Sequence, residues 1–572
     1  MKAGKREKVA TATAVILFTL VMTACIGGDD AKENRPEQAI ERKGTLIIGE
    51  MVAFPENLSP LAREGTSAAA KHVVNGMFPS PFRILPDLSF AVNKDLMGTE
   101  PTIEETDGQQ VVTYEINPDA VWSDGVPISA DDFQFVWRLQ RSSDPAVGGC
   151  AGLVSTAGYD QIQSVVGSDN GKLVKVTYLS PYGNWKDLFS LFPAHVMDMG
   201  DAATNCTATL AGWPTGRGIP QDISSGPWQL LSENIDPGVQ TLILTPNPRW
   251  YGEGPFLESL VHRSLSGDAD MLVRLLESRE IDMIATQPQR DLITTVRDLD
   301  NVTSEVSAGL AFEHFDLNTA NVHLAKPGVR RAFALALDRE VIAMSTVGEI
   351  YEEARVMNNH LFINTQREYV DNAPEQLNTQ DLTSAKQLLE SAGYVLGAGG
   401  IFEHPRDGPL SLTMSTLPDD PLRKRTIDLA AAQVAEAGFG ITRVLDPGIL
   451  GGPFEPTSLA SGGFDIVLFA WVSSPAVSGN VSLYKTGGGQ NYAGVSNAEV
   501  DSLLDQLASE VNPETAAQLA NEADEILWEE LVTIPLYQKP IYTVWSNEFE
   551  GIVPNPTSAG PMWNSDEWKL AE

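Results

Sequence analysis

Apolar and polar positions follow two different periods along the chain, and they predict a mixture of short strands and amphipathic helices. Residues 466–471 form an uninterrupted apolar run, which is typical of a strand buried on both faces. Residues 111–116 alternate between apolar and polar, as a half-buried strand does. In RRAFALALDREVI the apolar residues recur with helical spacing, which predicts one buried helix face. The pattern is that of a mixed α/β chain.

Capping residues and the same periods predict further elements. Ser129 is a suitable N-cap, because Asp132 stands at the third helical position behind it. Ser496 and Glu499 predict a capping box at the start of a later helix. The remaining elements we expect are strands at 45–50, 172–179 and 410–415, a hairpin within 226–252, and helices at 270–280, 382–392 and 422–437.

The N-terminus has the pattern of an export signal. Four basic residues among the first eight precede an uncharged run over residues 9–24, and Cys25 follows. Met22, Thr23, Ala24 and Cys25 resemble the lipobox of bacterial lipoproteins, in which the cysteine is acylated and becomes the new N-terminus. We therefore expect a signal peptide over 1–24, lipidation at Cys25 and a polar tether over 25–44. The alternatives are a plain secretory peptide and an uncleaved membrane anchor.

Length and charge narrow the class of protein. The 572 residues exceed the usual single domain of about 100–150 residues, so two or three packed lobes are expected. Without residues 1–24 the chain carries 35 basic and 75 acidic residues, a net charge of about −40. Such a surface repels nucleic acid and anionic lipid headgroups. Because no second apolar run of about 20 residues is present, acyl chains would have to hold the protein at the membrane.

Two cysteines remain after Cys25. In an exported protein Cys150 and Cys206 most simply form one disulfide, and two buried free thiols are the alternative. Two cysteines without a clustered pair of histidines are too few for a structural zinc site, and the seven histidines show no metal spacing. We expect no metal site.

The sequence lacks the common enzymatic motifs. It contains no Gly-x-Ser-x-Gly, no His-Glu-x-x-His and no phosphate-binding Gly-x4-Gly-Lys-Ser/Thr pattern. The glycines at 487–489 do not follow a strand as in a dinucleotide site, so they indicate a flexible loop or one of close approach. The sequence therefore predicts a protein that is not an enzyme and needs no cofactor.

Candidate binding residues lie at the end of the apolar run and after the triple glycine. Trp471 ends the run, and Gln490, Asn491 and Tyr492 follow the glycines. An aromatic face beside amide groups suits a ligand with backbone amides or sugar hydroxyls. The alternative for Trp471 is a tryptophan of the core.

Several segments in a fixed order resemble the family 5 solute-binding proteins of ABC importers, which handle oligopeptides, dipeptides and nickel. The resemblance runs from about residue 45 to the C-terminus and is closest to actinobacterial lipoproteins of the family. The segments are VWSDGVPISADDFQFVW, SGPWQLL with NPRWYG, LLESREIDMI, VRRAFALALDREVI and FDIVLFAW.

The resemblance implies the type II periplasmic-binding-protein fold, with two α/β lobes and a small inserted domain. Lobe I would comprise residues 45–78, 191–309 and 538–572, the inserted domain 79–190, and lobe II 310–537. A ligand would be enclosed between the lobes as they close about the hinge strands.

Some of the family's ligand residues have a counterpart in this sequence, and others do not. Peptide binders of this family typically place an aspartate three residues after the tryptophan, where it pairs with the peptide ammonium, and here that position is Ser474. Glu64 matches an acidic residue near the pocket of oligopeptide binders. Because a buried ammonium without a carboxylate costs several kcal/mol, either another acid replaces the missing one or the solute has no free amine.

The function that follows is that of a lipid-anchored, monomeric binding protein on the outer face of the cytoplasmic membrane. It would deliver an oligopeptide or a solute of similar size to an ABC permease complex in the membrane, using Trp471, Ser474, Gln490, Asn491, Tyr492 and Glu64 for specificity. The alternative is a regulatory or scaffolding lipoprotein of cell-envelope glycolipid assembly.

Overall fold

A ten-stranded mixed sheet runs through the computed structural model, which describes residues 41–572 except 107, 212–221, 237, 266–268 and 419. The predicted signal peptide and Cys25 lie outside the described residues. Arg42–Glu572 form one unit. Among the residues that the structure describes, no helix combines the length and apolar character needed to cross a membrane.

The elements alternate along the chain as the hydrophobic pattern predicts. Up to residue 190 they are β1 (Thr45–Glu50), α1 (Ala68–Asn75), β2 (Phe82–Ile84), β3 (Phe90–Val92), β4 (Thr102–Thr106), β5 (Gln109–Glu115), α2 (Ala130–Gln140), β6 (Ile162–Ser168) and β7 (Leu173–Tyr178). Up to residue 317 they are α3 (Ala194–Met197), α4 (Ala202–Leu210), β8 (Trp228–Asp236), β9 (Thr241–Pro246), β10 (Ser259–Ser264), α5 (Ala269–Glu277), β11 (Met283–Thr286), α6 (Arg290–Val296) and β12 (Val302–Leu317).

The last part of the chain continues the alternation. Its elements are α7 (Pro327–Ala336), α8 (Arg339–Thr346), α9 (Leu382–Ser391), β13 (Val395–Leu396), β14 (Phe402–His404), β15 (Gly408–Pro409), β16 (Ser411–Thr416), α10 (Pro421–Glu436), β17 (Gly440–Leu445), β18 (Ile466–Val472), α11 (Val481–Tyr484), α12 (Ala498–Ser509), α13 (Pro513–Glu530), β19 (Thr533–Ser546), β20 (Phe549–Glu550) and β21 (Lys569–Leu570).

The strand order of the large sheet is β17-β16-β18-β12-β19-β11-β1-β10-β9-β8. In one half β16 is parallel to β17 and β18, and in the other β1 is parallel to β10 and β11. β4 to β7 form a separate four-stranded sheet. In open sheets of this kind, ligands bind beyond the carboxyl ends of the parallel strands.

Two long strands, β12 and β19, join the halves of the large sheet. They pair with each other, and the pairing shifts register between Ala308 and Phe312. At Gly309 the backbones approach closely, because a Cβ there would lie 2.9 Å from the carbonyl oxygen of Lys539. This irregularity coincides with the expected lobe boundaries at 309/310 and 537/538. The division into lobes at these residues stays a prediction.

The apolar run 466–471, which forms most of β18, is buried on both faces of the sheet. Ile466 and Leu468 pack with Phe315 in a core below helices α7 to α10, whereas Val467 and Phe469 belong to a second core with α12 and α13. The alternation along a strand places successive side chains on opposite faces, so an uninterrupted apolar run requires cover on both.

Most expected elements are confirmed, and the start of α12 is the exception. β1 covers the expected residues 45–50, and Ser129 with Asp132 forms a complete capping box on α2. The expected capping box of Ser496 and Glu499 is wrong. Instead, Asn497 is the N-cap of α12, and its side chain accepts hydrogen bonds from the backbone N–H groups of Glu499 and Val500.

A cap at Asn497 predicts unequal effects for two neighbouring substitutions. Asn497→Ala is expected to lower the free energy of unfolding by about 1 kcal/mol, because the first turn of α12 loses its acceptor. Ser496→Ala is the matched control and should change it by less than about 0.5 kcal/mol. Urea denaturation of both variants measures the difference. An equal loss in the two would contradict the assignment of the cap.

The sulfur atoms of Cys150 and Cys206 are joined by a disulfide. Cys206 lies within α4, and Cys150 lies in the segment after α2. The bond connects positions 56 residues apart in sequence.

Candidate functional site

A cavity of about 310 Å³ lies where α1, the segment around β2, residues 186–190 and the C-terminal loop around Ser558 meet. These parts belong to the expected lobe I and the inserted domain. Aromatic rings, two lysines, an arginine and two carboxylates line the cavity, with Phe82, Trp250, Trp563, Lys71, Lys186, Arg83, Asp187 and Asp566 among them. A concave surface with an apolar wall and a few converging polar groups is the usual form of a small-molecule site.

The helix α1 presents Lys71 and Asn75 to this cavity. Ser67 begins the helix, since its Oγ accepts a hydrogen bond from the backbone N–H of Ala70 at 3.3 Å. Val73 and Val74 are buried in the core. Lys71 and Asn75 are four residues apart, so they lie on one face of the helix, and both line the cavity.

The ammonium group of Lys71 reaches the C-terminal loop. Its Nζ donates a hydrogen bond to Oγ of Ser558 at 3.1 Å. Burial lowers the pKa of Lys71, and the nearby carboxylate of Asp187 opposes this shift. Among the side chains that the structure describes, no carboxylate forms an ion pair with Lys71 within 4.0 Å. Lys71 therefore brings a positive charge into the cavity with a hydroxyl as its partner.

Asp187 supplies the opposite charge on another wall. It ends the short 3-10 helix Trp185–Asp187. Its carboxyl group lies deep among protein atoms, which raises its pKa to about 6, and the Asn184 amide and Lys71 oppose that rise. Water still reaches the carboxyl group through the open cavity, because the side chain is solvent-exposed there. This access reduces the cost of its charge in the absence of a ligand.

The remaining charges of the cavity are engaged by neighbouring groups. Nζ of Lys186 lies 5.6 Å from the ring centre of Phe82 and 5.5 Å from that of Trp185, within cation–π range. Arg83 is paired with Asp95 at 2.9 Å and with Asp566 at 3.4 Å. The cavity charges for which the described residues provide no ion pair are thus Lys71, Lys186 and Asp187, and of the two lysines Lys186 already lies against aromatic rings.

The segment that precedes Asp187 contacts the loop that follows β18. A Cβ added to Gly479 would lie 2.4 Å from Oγ of Ser474 and 3.9 Å from Nδ2 of Asn184, which precedes Asp187 by three residues. The backbone N–H of Gly183 donates to the carbonyl oxygen of Ala508 at 3.1 Å. The segment that carries Asp187 therefore contacts the loop in which the sequence predicts the solute site.

Trp471 lies near the end of β18, but other rings cover most of it. It is 9% exposed. Its ring stacks with Tyr492 at 5.7 Å and with His314 at 5.7 Å, and Phe469 packs against it edge to face at 4.8 Å. Trp471 thus lies near a strand end, as expected, and it is also largely buried, as the alternative of a core tryptophan requires. Contact of Trp471 or Tyr492 with a solute stays a prediction.

The amides expected beside Tyr492 serve the loop itself. Nδ2 of Asn491 donates to the carbonyl oxygens of Lys485 and Val495, and its Oδ1 accepts from the N–H groups of Gly494 and Val495. Oε1 of Gln490 accepts from Ser482 at 3.0 Å. Neither residue lines the cavity, so we leave Asn491 and Gln490 out of the ligand set proposed below.

Ser474 and Glu64 complete the predicted set. The backbone N–H of Ser474 donates to Oδ1 of Asn480 at 3.0 Å, and the residue is half-buried in the loop after β18. Glu64 begins the short helix Glu64–Thr66 ahead of α1, and its side chain lies outside the described part of the structure. Their roles in binding stay predictions.

Sequence reasoning missed Lys71, Asp187 and Ser558. They come from three distant parts of the chain, and none of them belongs to a motif. The one local signal is the four-residue spacing of Lys71 and Asn75 on a helix whose other positions, apart from His72, are apolar. In the described part of the chain no three His, Cys, Asp or Glu side chains are grouped as metal ligands would be.

Comparison with known proteins identifies relatives over nearly the whole chain. The sequence matches the bacterial extracellular solute-binding proteins, family 5 Middle, over residues 95–493. The oligopeptide-binding protein OppA of Mycobacterium tuberculosis is 28% identical over 528 residues, which cover 90% of this chain and 83% of the relative. An uncharacterized lipoprotein of the same organism is 26% identical over 605 residues and covers 98% of this chain and 97% of the relative.

A third relative and a solved structure extend the comparison. A probable monoacyl phosphatidylinositol tetramannoside-binding protein of M. tuberculosis is 27% identical over 374 residues, covering 61% of this chain and 52% of the relative. The periplasmic EDTA-binding protein EppA superimposes with a TM-score of 0.82 at 27% identity, over 93% of this chain and 97% of its own. The expected type II fold is confirmed by this similarity.

Proposed function

Because the chain belongs to family 5 of the bacterial extracellular solute-binding proteins, we propose that it is the substrate-binding component of an ABC importer. Its solute is an oligopeptide or a molecule of similar size, bound without covalent chemistry. The site is the cavity of lobe I and the inserted domain, together with the facing loop after β18. Lobe II encloses the solute by rotating about β12 and β19.

The observation that carries this proposal is the cavity itself. It combines aromatic walls with a lysine and an aspartate that lack ion-pair partners among the described residues, and the segment that carries this aspartate contacts the loop of Ser474. A peptide offers apolar side chains to such walls and polar main-chain groups to the hydroxyl and amide groups of Ser558 and Asn75. The similarity to an oligopeptide-binding protein supports the same class of solute.

The N-terminal sequence and the relatives support a location of the protein outside the cytoplasm. We propose that Cys25 is acylated and holds the protein on the outer face of the cytoplasmic membrane, beside an ABC permease complex. The lipobox-like residues 22–25 support this, and so does the similarity to a mycobacterial lipoprotein over 98% of the chain. The protein acts as a monomer in this proposal.

Peptide binding is tested by titration of the purified protein with peptide pools and, in parallel, with sugars and single amino acids. We expect a saturable change of tryptophan fluorescence with peptides, because Trp250 and Trp563 line the cavity. Native mass spectrometry of the protein from its source should show a retained mass in the peptide range. Urea-unfolded protein is the control for direct quenching. No response to any peptide would overturn the peptide assignment.

A second candidate function rests on one comparison. The similarity to a probable monoacyl phosphatidylinositol tetramannoside-binding protein favours a role in cell-envelope glycolipid assembly. Neighbouring permease and ATPase genes would support import. Their absence, together with retention of a glycolipid mass in native mass spectrometry, would support the envelope role instead.

A further inference from the structure

We infer that the solute is a short zwitterionic peptide whose α-ammonium pairs with Asp187 and whose carboxylate pairs with Lys71. This inference rests on the proposed function and specifies its ligand. It also assigns the acid that takes the place of the aspartate missing at Ser474, and it puts that acid on the opposite wall of the site.

The first step concerns two opposite charges that face one cavity without pairing. Lys71 and Asp187 both line it, yet they do not approach each other within 4.0 Å, and the residues that the structure describes give neither of them another ion-pair partner. When a ligand displaces the water of such a cavity, each charge needs a counter-charge. A ligand with an ammonium and a carboxylate group provides both at once.

The second step assigns the ammonium end to Asp187. The amide of Asn184 interacts with this carboxyl group, and its Oδ1 is buried without a hydrogen-bond partner among the described residues, although Asn184 is not one of the residues that line the cavity. A carboxylate and an amide oxygen are acceptors, and an ammonium group has three donors. Asn184 also lies against the loop of Ser474 and Gly479. The ammonium group therefore pairs with Asp187, on the segment that contacts this loop.

The third step assigns the carboxylate end to Lys71. Its Nζ has one described acceptor, Oγ of Ser558 at 3.1 Å, which leaves further donors for a ligand. Asn75 lines the cavity one helical turn away, and its Nδ2 donates one hydrogen bond to the carbonyl oxygen of Met562 at 3.2 Å, which leaves its second N–H. Ammonium, hydroxyl and amide donors together suit a carboxylate. Arg83 is unsuited to this role because Asp95 and Asp566 already pair with it.

The size of the cavity limits the length of the solute. Its volume of about 310 Å³ is at the lower end of ligand pockets, which span about 300–1,000 Å³. Both termini must reach charges in this one cavity. A peptide of two or three residues meets both conditions, with its side chains against Phe82, Trp250 and Trp563.

The test uses an apolar tripeptide in four forms: free, N-acetylated, C-amidated and doubly blocked. Calorimetric titration of the wild-type protein should show binding of the free form weakened at least 30-fold by either block, because each block removes one charge pair. A free nonapeptide should bind more weakly than the tripeptide. Asp187→Asn should weaken the free tripeptide by a similar factor and leave the affinity for the N-acetylated form unchanged. Lys71→Met should weaken binding of the free tripeptide by a similar factor and leave the affinity for the C-amidated form unchanged.

The controls separate this inference from the proposed function. Asp160→Asn and Lys175→Gln change exposed charges outside the cavity, and they should leave all affinities unchanged. Equal binding of free and blocked tripeptides to the wild type would overturn the zwitterion assignment while peptide binding stands, and this readout needs no variant to fold. Equal weakening of free and N-acetylated peptide by Asp187→Asn would overturn the role of Asp187. Failure of every peptide form to bind would overturn the proposed function as well.

Discussion

Replacing Glu50 by glutamine is expected to lower the free energy of unfolding by about 3–5 kcal/mol. Glu50 ends β1 and is 4% exposed. Its carboxylate accepts from Nδ1 of His72, 3.1 Å from both oxygens, and from Nδ1 of His262 at 2.9 Å. Glutamine has no charge and one acceptor oxygen, so the substitution leaves a buried histidine opposite an NH₂ group.

The effect of Glu50→Gln should depend on pH in two directions. Burial by itself raises the pKa of Glu50, but His72 and His262 bring it below its usual value of 4.5. Burial lowers the pKa of His72, but Glu50 raises it above its usual 6.5. The lowered carboxyl pKa contributes stability above pH 4.5 that is lost in more acidic solution. The raised imidazole pKa contributes stability below pH 6.5 that is lost as pH rises through the folded value.

The loss should therefore be greatest between about pH 4.5 and pH 6.5 and smaller on both sides. Urea denaturation of wild type and variant across pH 4 to 9 measures it. Glu104→Gln in β4 is the matched control, because Glu104 is exposed, and it should change the free energy of unfolding by less than about 0.5 kcal/mol. A loss that stays constant over this pH range would contradict a charged Glu50–His72 pair.

Removal of the Cys150–Cys206 disulfide is expected to lower the free energy of unfolding by about 4 kcal/mol. The bond joins positions 56 residues apart, and closing a loop of that length restricts the unfolded chain by roughly this amount. The Cys150→Ala/Cys206→Ala double variant and the reduced wild type should both show the loss in urea denaturation.

The two ways of breaking the bond serve as controls for each other. Cys150 is buried, so the double variant also loses some packing, whereas reduction keeps both side chains. A reductant should destabilise the wild type and leave the double variant unchanged. If the wild type unfolds at the same urea concentration with and without reductant, the assigned disulfide is wrong.

Much of the fold could be predicted because local patterns suffice for it. The run 466–471 requires cover on both faces wherever it lies, and the structure provides two cores for it. Ser129 and Asp132 act within one helical turn, so their capping box follows from four residues. The cap of α12 was misplaced by one residue, because Ser496 and Asn497 are both good N-caps and backbone geometry selects between them.

The site was harder to predict because it depends on distant contacts. Trp471 was expected either to contact a solute or to be a core tryptophan, and only the structure shows that Tyr492 and His314 stack on it. Asn491 was expected to offer an amide, but the turn of its own loop uses that amide. Lys71 and Ser558 lie 487 positions apart in sequence, and no local pattern relates them. Hydrogen-bond partners of this kind are set by the packing of whole elements.

The sequence by itself determined the class of fold, the family and the position of β18, since periodicity and ordered segments act over short distances. The resemblance to the family also implied that Ser474 stands where its peptide binders typically carry an acid. Only the tertiary structure decided which charges face the cavity. It brings the segment that carries Asp187 against the loop of Ser474 and places Lys71 on another wall of the cavity. The physical reason is that the electrostatic needs of a buried site depend on distances in space, and the folded chain alone sets these distances.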